Sequence, residues 1–242
     1  QNLENAIAAY TCALEVRQPH LLPLECLQTA RNLGSLAMEQ SNWQLAIKAY
    51  KRAMAAVEKS RSWATSDESR QQILNQSVRV YENAIQAYIN SGNIGKALET
   101  AERLRAKRLA ELFASQPADA TCNPDLAADL QQYEILNQRI NQLRVPVAVA
   151  TASKRGTRDG DSPDANTAEL NALEAEAHQL WRHIRQQDPI LAGKLEIVPL
   201  PLAQIQSLVP NPTTALLSFY TTDDDTHIFI LRHQQPPQLF TC

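Results

Sequence analysis

NWQLAIKAYKRA, residues Asn42–Ala53, decides how the rest of the chain is read. The pattern recurs in degenerate form as NLENAIAAYTCA at Asn2–Ala13 and as NIGKALETAERL at Asn93–Leu104. Each copy opens on Asn, whose side chain accepts a backbone N–H of the first helical turn. Each then carries a seam of small and apolar residues: Ala6, Tyr10 and Ala13; Ala46, Tyr50 and Ala53; Ala97, Ala101 and Leu104. Spacings of four and three put these side chains on one helical face, and small residues there let a second helix approach closely. Repeated copies of one helix indicate stacked units, each burying its apolar face against the next.

The partner helix lies upstream. Leu33-Gly34-x-x-Ala37 followed by Ser41 precedes the middle copy, and Ala84-Ile85-x-x-Tyr88 followed by Gly92 precedes the third. The offset from Leu33 to Ala46 equals that from Ala84 to Ala97. In this register the chain resembles the tetratricopeptide repeat (TPR) family, with L-G-x-x-Y on a first helix and A-x-x-x-F/Y-x-x-A on a second. The departures are Ala37 for the aromatic, Ala84–Ile85 for Leu-Gly, and no closing Pro in the second and third copies. The first copy lacks its leading helix, so the expectation is a piece of a longer protein.

The expected fold is mainly α: a TPR-like helical superhelix, a helical hairpin and a short C-terminal β segment. The repeats occupy 1–116, with helices over Gln1–Arg17, Leu24–Gln40, Asn42–Arg61, Asp67–Asn90 and Asn93–Ser115, and a break at Ser62–Ser66. Residues 117–188 read as an antiparallel hairpin after a loop at Pro117–Pro124. Its stripes are Leu126, Leu130, Tyr133, Leu136, Ile140 and Leu143, then Leu170, Leu173, Ala177, Leu180 and Ile184. Between them 145–165, rich in small and charged residues and without a helical period, is expected to be a disordered loop. From 189 the character changes, and more than half of the 13 prolines lie at or beyond Pro189. Ala203–Leu208 reads as a short helix, Thr213–Tyr220 and Thr226–Arg232 as strands around the turn Asp223–Asp225, and a third strand begins near Leu239.

A second resemblance spans most of the chain. Ala101–Ala114, AERLRAKRLAELFA, is similar to the A-E-R-x-K/R-A-R-x-L-x-D/E-L-L segment that closes the repeat array of bacterial CHAT proteins, the caspase-like proteases associated with TPRs. Ala101, Glu102, Arg103, Arg105, Ala106, Leu109, Glu111 and Leu112 match, and Lys107 stands where Arg is usual. LPLAQIQSLVPNPTTALLSFYTTDDDTHIFIL, which follows Pro199, resembles the opening of the CHAT domain, so 189–242 reads as the truncated start of that domain. The resemblance implies a module that binds a peptide or partner protein and regulates an attached protease. It implies no cofactor.

Composition sets bounds on other classes. The 242 residues are 44% hydrophobic, enough for one or two packed domains. A net charge of -3 and a pI near 6.0 imply no bulk attraction to nucleic acid or anionic membrane. No apolar run approaches a membrane span. Cys12, Cys26, Cys122 and Cys242 lie far apart with no CxxC pair, and the reading is reduced thiols in a cytoplasmic protein. A cysteine protease needs a thiol activated by His. Cys242 is terminal, with only His227 and His233 near it in sequence, and the CHAT dyad lies on later strands. The expectation is therefore no catalysis within these residues. His178 and His183 are five apart, the wrong spacing for a shared helical face, and read as surface histidines. Glu174 and His178 are four apart and can pair. The basic cluster Arg103, Arg105, Lys107 and Arg108 reads first as a solvated face. Its alternative is a scaffold for RNA or DNA, which would want a larger basic excess and interleaved aromatics.

The first helices of such arrays line a concave groove. Counting from the seam puts Gln28, Arg31, Asn32, Ser35, Met38 and Glu39 on it from one unit, and Arg79, Glu82, Asn83, Gln86, Ile89 and Asn90 from the next. Arg31, Asn32, Ser35, Glu39, Arg79, Asn83, Gln86 and Asn90 are the candidate peptide-binding residues. Asn32 and Asn83 share a register, and an amide grips a peptide backbone through both donor and acceptor. Both side chains are expected to face solvent when the groove is empty. The partner is a protein or peptide, or the remainder of the same chain, with neither membrane nor metal involved.

Overall fold

A computed structural model describes residues 2–63, 67–114, 124–154, 165–195 and 200–242. Helices α1 (Asn2–Val16), α2 (Pro23–Glu39), α3 (Trp43–Trp63), α4 (Asp67–Asn90) and α5 (Ile94–Ala114) stack in chain order, each packed on the next. The seams perform as spaced: Ala46, Tyr50, Ala53, Ala97, Ala101 and Leu104 are all buried. Ala6, Tyr10 and Ala13 remain only half-buried, since α1 packs chiefly on α2.

The α2–α3 and α4–α5 turns are built alike. Ser41 and Gly92 hold left-handed φ values of 56° and 76°. The amides of Asn42 and Asn93 then reach back to the carbonyls of Ala37 and Tyr88, each at 2.9 Å, which satisfies orphan carbonyls at both helix ends. The Asn side chains cap the next helices: Asn42 Oδ1 accepts Leu45 N–H at 3.2 Å and Asn93 Oδ1 accepts Lys96 N–H at 3.3 Å.

The departures from the repeat pattern compensate one another. At Gly34 an added Cβ would sit 2.6 Å from the Tyr50 ring, so the aromatic lies directly on the glycine backbone. In the next unit Ile85 takes the glycine's place and Ala101 the tyrosine's, both buried. Large against small has been exchanged across one helix pair, which conserves volume and leaves the interface close-packed.

Beyond α5 come α6 (Pro124–Lys154), α7 (Ala165–Gln187), α8 (Pro189–Leu195) and α9 (Leu202–Gln206), then strands β1 (Ala215–Thr221), β2 (Thr226–Arg232) and β3 (Gln238–Thr241). Helices α6 and α7 pack together through Leu136, Ile140 and Ala177 and, nearer α8, through Leu126, Trp181, Ile184 and Ala192. Helix α6 runs through residues 145–154, which corrects the expected loop there. Ala148, Ala150 and Ala152 favour helix, residues 145–154 contain no Gly, and Pro146 removes one hydrogen bond without ending the element. The rest of that loop, 155–164, lies outside the described residues, as do 64–66 of the expected break and 117–123 of the expected loop before α6. Helix α8 was not anticipated. Asp188 caps it, Oδ1 accepting Leu191 N–H at 2.9 Å, with Pro189 in the first turn. It packs on α7, where Trp181 Nε1 donates to Ala192 O at 3.0 Å, and on α5.

The sheet is antiparallel in the order β1-β2-β3. Its inner face joins the main core: Phe229 and Leu231 are fully buried and cluster with Ile205, Val209 and the residues of α2–α5. Among the described residues no helix is long and apolar enough to cross a membrane.

Candidate binding groove

Helices α2 and α4 lie side by side, with α3 behind them supplying the floor. That floor is Tyr50, a residue the sequence reading assigned only to the packing seam. Ring and hydroxyl are both buried, and the hydroxyl ends beneath the side chains of α2 and α4. Ser35 Oγ from α2 lies 3.4 Å from Tyr50 Oη. Asn83 from α4 hydrogen-bonds the same phenol, and Arg31 and Glu39 are near enough to act on it electrostatically. Burial raises the phenol's pKa most, Ser35, Asn83 and Arg31 pull it back, and Glu39 adds to the rise. Four of the eight candidate residues therefore converge on one buried hydroxyl.

The other four divide. Asn32 is half-buried and receives no hydrogen bond from any described residue, which leaves its amide free for a ligand. Gln86 Nε2 donates to Asn90 Oδ1 at 2.9 Å, a pairing within α4. Arg79 is exposed, and no described contact ties it to the cluster. Arg31 also lines a cleft of about 260 Å³ with Leu24, Leu27 and Gln28 at one end of the groove. The expectation that both Asn side chains face solvent holds for neither fully: both are half-buried, and Asn83 is engaged with Tyr50. The reason is the depth of Tyr50, whose phenol brings a buried polar group that must be hydrogen-bonded from the groove side.

The basic cluster of α5 is a solvated face only in part: Arg105 and Arg108 keep exposed side chains, whereas Arg103 and Lys107 turn into the helix stack. Lys107 is fully buried and pairs with Glu58 Oε1 at 2.7 Å. Arg103 reaches the same oxygen at 3.0 Å, and Tyr81 Oη donates to it at 2.6 Å. Burial works to raise the Glu58 pKa, but Lys107, Arg103 and the hydrogen bonds from Lys107 and Tyr81 outweigh it and hold the carboxyl below its ordinary value. Arg108 pairs with Glu82 at 3.2 Å. Arg105 pairs with Glu102 and donates to Phe219 O at 2.7 Å, while Ser218 Oγ donates to Glu102 at 2.7 Å. Every cation of the cluster thus has an acidic partner, two of them inside the helix stack. Only the Glu102–Arg105 pair, at i and i+3, was signalled by the local charge pattern; the acids that meet Arg103, Lys107 and Arg108 come from α3 and α4.

Cys242 pairs through its backbone with Thr226, the neighbour of His227, at the end of the sheet. Cys242 Sγ contacts Thr226 O at 3.7 Å, His227 Nδ1 bonds Thr241 Oγ1 at 2.8 Å, and His233 Nδ1 meets Val209 O at 2.9 Å. His178 stacks on Trp181 at 5.7 Å, and His183 Nδ1 bonds Asp129 at 2.8 Å, while Glu174 approaches Lys59 at 3.6 Å. Cys12 and Cys242 are exposed free thiols and Cys26 is a buried one; Cys122 lies outside the described residues.

No family model matches the chain, and neither a curated protein nor a solved structure is found to match it.

Proposed function

We propose that α1–α5 form a TPR-like protein-interaction module that takes an extended peptide or partner segment between α2 and α4. In line with the sequence resemblance, we place it in a cytoplasmic CHAT-type protein whose caspase-like part it regulates. The observation that carries the reading is the arrangement about Tyr50: Ser35 and Asn83 share its hydroxyl from opposite walls, Arg31 and Glu39 flank it with opposite charge, and the Asn32 amide, one turn before Ser35, has no hydrogen-bond partner among the described residues. A polar cluster fixed from beneath is preorganised for backbone and charged groups of a ligand, which lowers the ordering cost of binding. Nucleic-acid binding through Arg103–Arg108 is disfavoured by the same reasoning, since those cations are already committed to Glu58, Glu82 and Glu102.

The test is selection of a displayed library of short linear peptides on the intact protein, followed by titration of the enriched peptide into wild type and Asn32→Ala. Enrichment of a related set that binds Asn32→Ala several-fold more weakly supports the reading. Enrichment of none, or a peptide indifferent to Asn32→Ala and to Arg31→Ala alike, refutes it.

A further inference from the structure

The groove between α2 and α4 has a charge order along its length. Consecutive helices joined by short connections pack antiparallel, so α2 and α4 run the same way on either side of α3. Ser35 on α2 and Asn83 on α4 both reach the Tyr50 hydroxyl, which sets them level with each other. One turn earlier on each wall stands an arginine, Arg31 on α2 and Arg79 on α4. One turn after Ser35 stands Glu39, on the same face of α2. Neither arginine meets a carboxylate among the described residues, and Glu39 meets no cation there. Glu58, Glu82 and Glu102, by contrast, are all taken up by the cations of α5.

The same stripe of α2 continues toward its N-terminal end. Leu24, Leu27 and Gln28 line, with Arg31, a cleft of about 260 Å³, and Leu24 is exposed within it. The groove thus offers in sequence an apolar cleft, two unpaired cations, the amides of Asn32 and Asn83, and an unpaired anion.

We propose that this groove selects an extended segment of a partner protein with an apolar side chain, an acidic one beside it, and a basic one three or four residues beyond the acid. The proposal rests on the reading of α2 and α4 as a peptide groove and adds which peptide it takes. The spacing comes from the helix: Arg31 and Glu39 are two turns apart, roughly 12 Å at 1.5 Å per residue. An extended chain covers that distance in three or four residues at about 3.3 Å each. The apolar side chain enters the cleft at Leu24 and Leu27. The acidic one is held by Arg31 and Arg79 from opposite walls, and the basic one reaches Glu39. A segment with acid and base exchanged would set like charges together at both ends, so the same three residues reject it.

The displayed peptide library, selected on the intact protein, supplies the ligand for the test. The enriched set should share the apolar, acidic and basic positions at this spacing. An enriched peptide is then titrated into wild type, Arg79→Glu and Glu39→Lys, beside a peptide with its acidic and basic residues exchanged. Each variant should weaken the enriched peptide by about tenfold at low salt and by less at high salt, and the exchanged peptide should bind wild type at least about tenfold more weakly. Replacing the peptide's acid by Lys should cost less against Arg79→Glu than against wild type, which a general loss of structure would not produce. Arg79 and Glu39 are exposed, so unchanged melting curves show that the losses are not unfolding. Enriched peptides that lack the charged pair, or that bind both variants as wild type while weakened by Asn32→Ala, overturn the charge order and leave the groove standing. Enrichment of none overturns the groove and the charge order together.

Discussion

Glu58 offers the sharpest test of how the helix stack is held. Its carboxylate sits where α3, α4 and α5 meet and gathers Tyr81, Arg103 and Lys107 at 2.6, 3.0 and 2.7 Å. The Lys107 side chain is fully buried, its Nζ 5.4 Å from the centroid of the Tyr81 ring. Replacing Glu58 by Gln keeps the shape and one acceptor but leaves two cations facing a neutral amide. Removing one partner of a buried pair costs about 3–5 kcal/mol, because the remaining charge stays desolvated. Glu58 itself is 31% exposed, so water screens part of the loss and about 3 kcal/mol is the expected figure.

Urea denaturation followed by circular dichroism at neutral pH measures it. The pH dependence supplies an internal control. The folded-state pKa of Glu58 lies below the ordinary 4.5, so its contribution is present above the unfolded value and is lost as pH falls through the lowered folded value. Wild type and Glu58→Gln should therefore differ most near neutrality and converge in acid. A loss under about 1 kcal/mol at neutral pH, or a gap that widens in acid, would refute the reasoning.

Three further outcomes follow from the same geometry. Gly34→Ala drives a methyl to within 2.6 Å of the buried Tyr50 ring and should cost about 1–3 kcal/mol in thermal or urea unfolding. Ser41→Gly relieves a left-handed backbone at φ 56° and should stabilise by about 0.5–1 kcal/mol, against no such gain for Ser91→Gly, whose φ is not positive. Asn32→Ala and Asn83→Ala should each weaken an enriched peptide by about 0.5–1.5 kcal/mol in titration calorimetry, but only Asn83→Ala should also lower the melting temperature, since only Asn83 serves Tyr50 in the empty groove.

The helix stack was readable because its signals are local and repeated. Asn42 and Asn93 are caps, Ser41 and Gly92 are turn residues, and the Ala46–Tyr50–Ala53 seam has a fixed period, so each could be placed without knowing what it touches. The hairpin strands were legible for the same reason, through β-branched runs on either side of Asp223–Asp225. What escaped depended on distant partners. Lys107 reads as surface until Glu58 and Tyr81 are brought over it by two other helices. Tyr50 reads as core because both its neighbours in the seam, Ala46 and Ala53, are small, and nothing in its own helix shows that its hydroxyl ends between Ser35 and Asn83. Helix α8 was hidden by proline content, although Asp188–Pro189 is a helix-start pair. The continuation of α6 past Pro146 was missed because a single proline weighs heavily in pattern reading and little against a long alanine-rich helix.

Helix α5 connects these features physically. One side of it carries Arg103 and Lys107 into the junction with α3 and α4, and Arg108 to Glu82 on α4, the helix that bears Asn83. The other side holds the C-terminal unit: Glu99 Oε1 accepts Leu202 N–H at the start of α9 at 2.7 Å, Glu102 accepts Ser218, and Arg105 donates to Phe219 O. Gly95 lets α9 come close, since a Cβ there would lie 2.7 Å from Leu202 Cδ2. These contacts are charge-assisted or made to backbone, which gives them stronger geometric demands than apolar packing alone. A ligand that pulls Asn83 or Arg31 away from Tyr50 acts on α2 and α4, and α4 is tied to α5 through Glu82 and Tyr81. Any shift of α5 is then felt at Ser218 and Phe219, within β1. The groove wall α4 and the C-terminal sheet thus share α5 as a common packing partner, and a displacement of α4 reaches the sheet only through it.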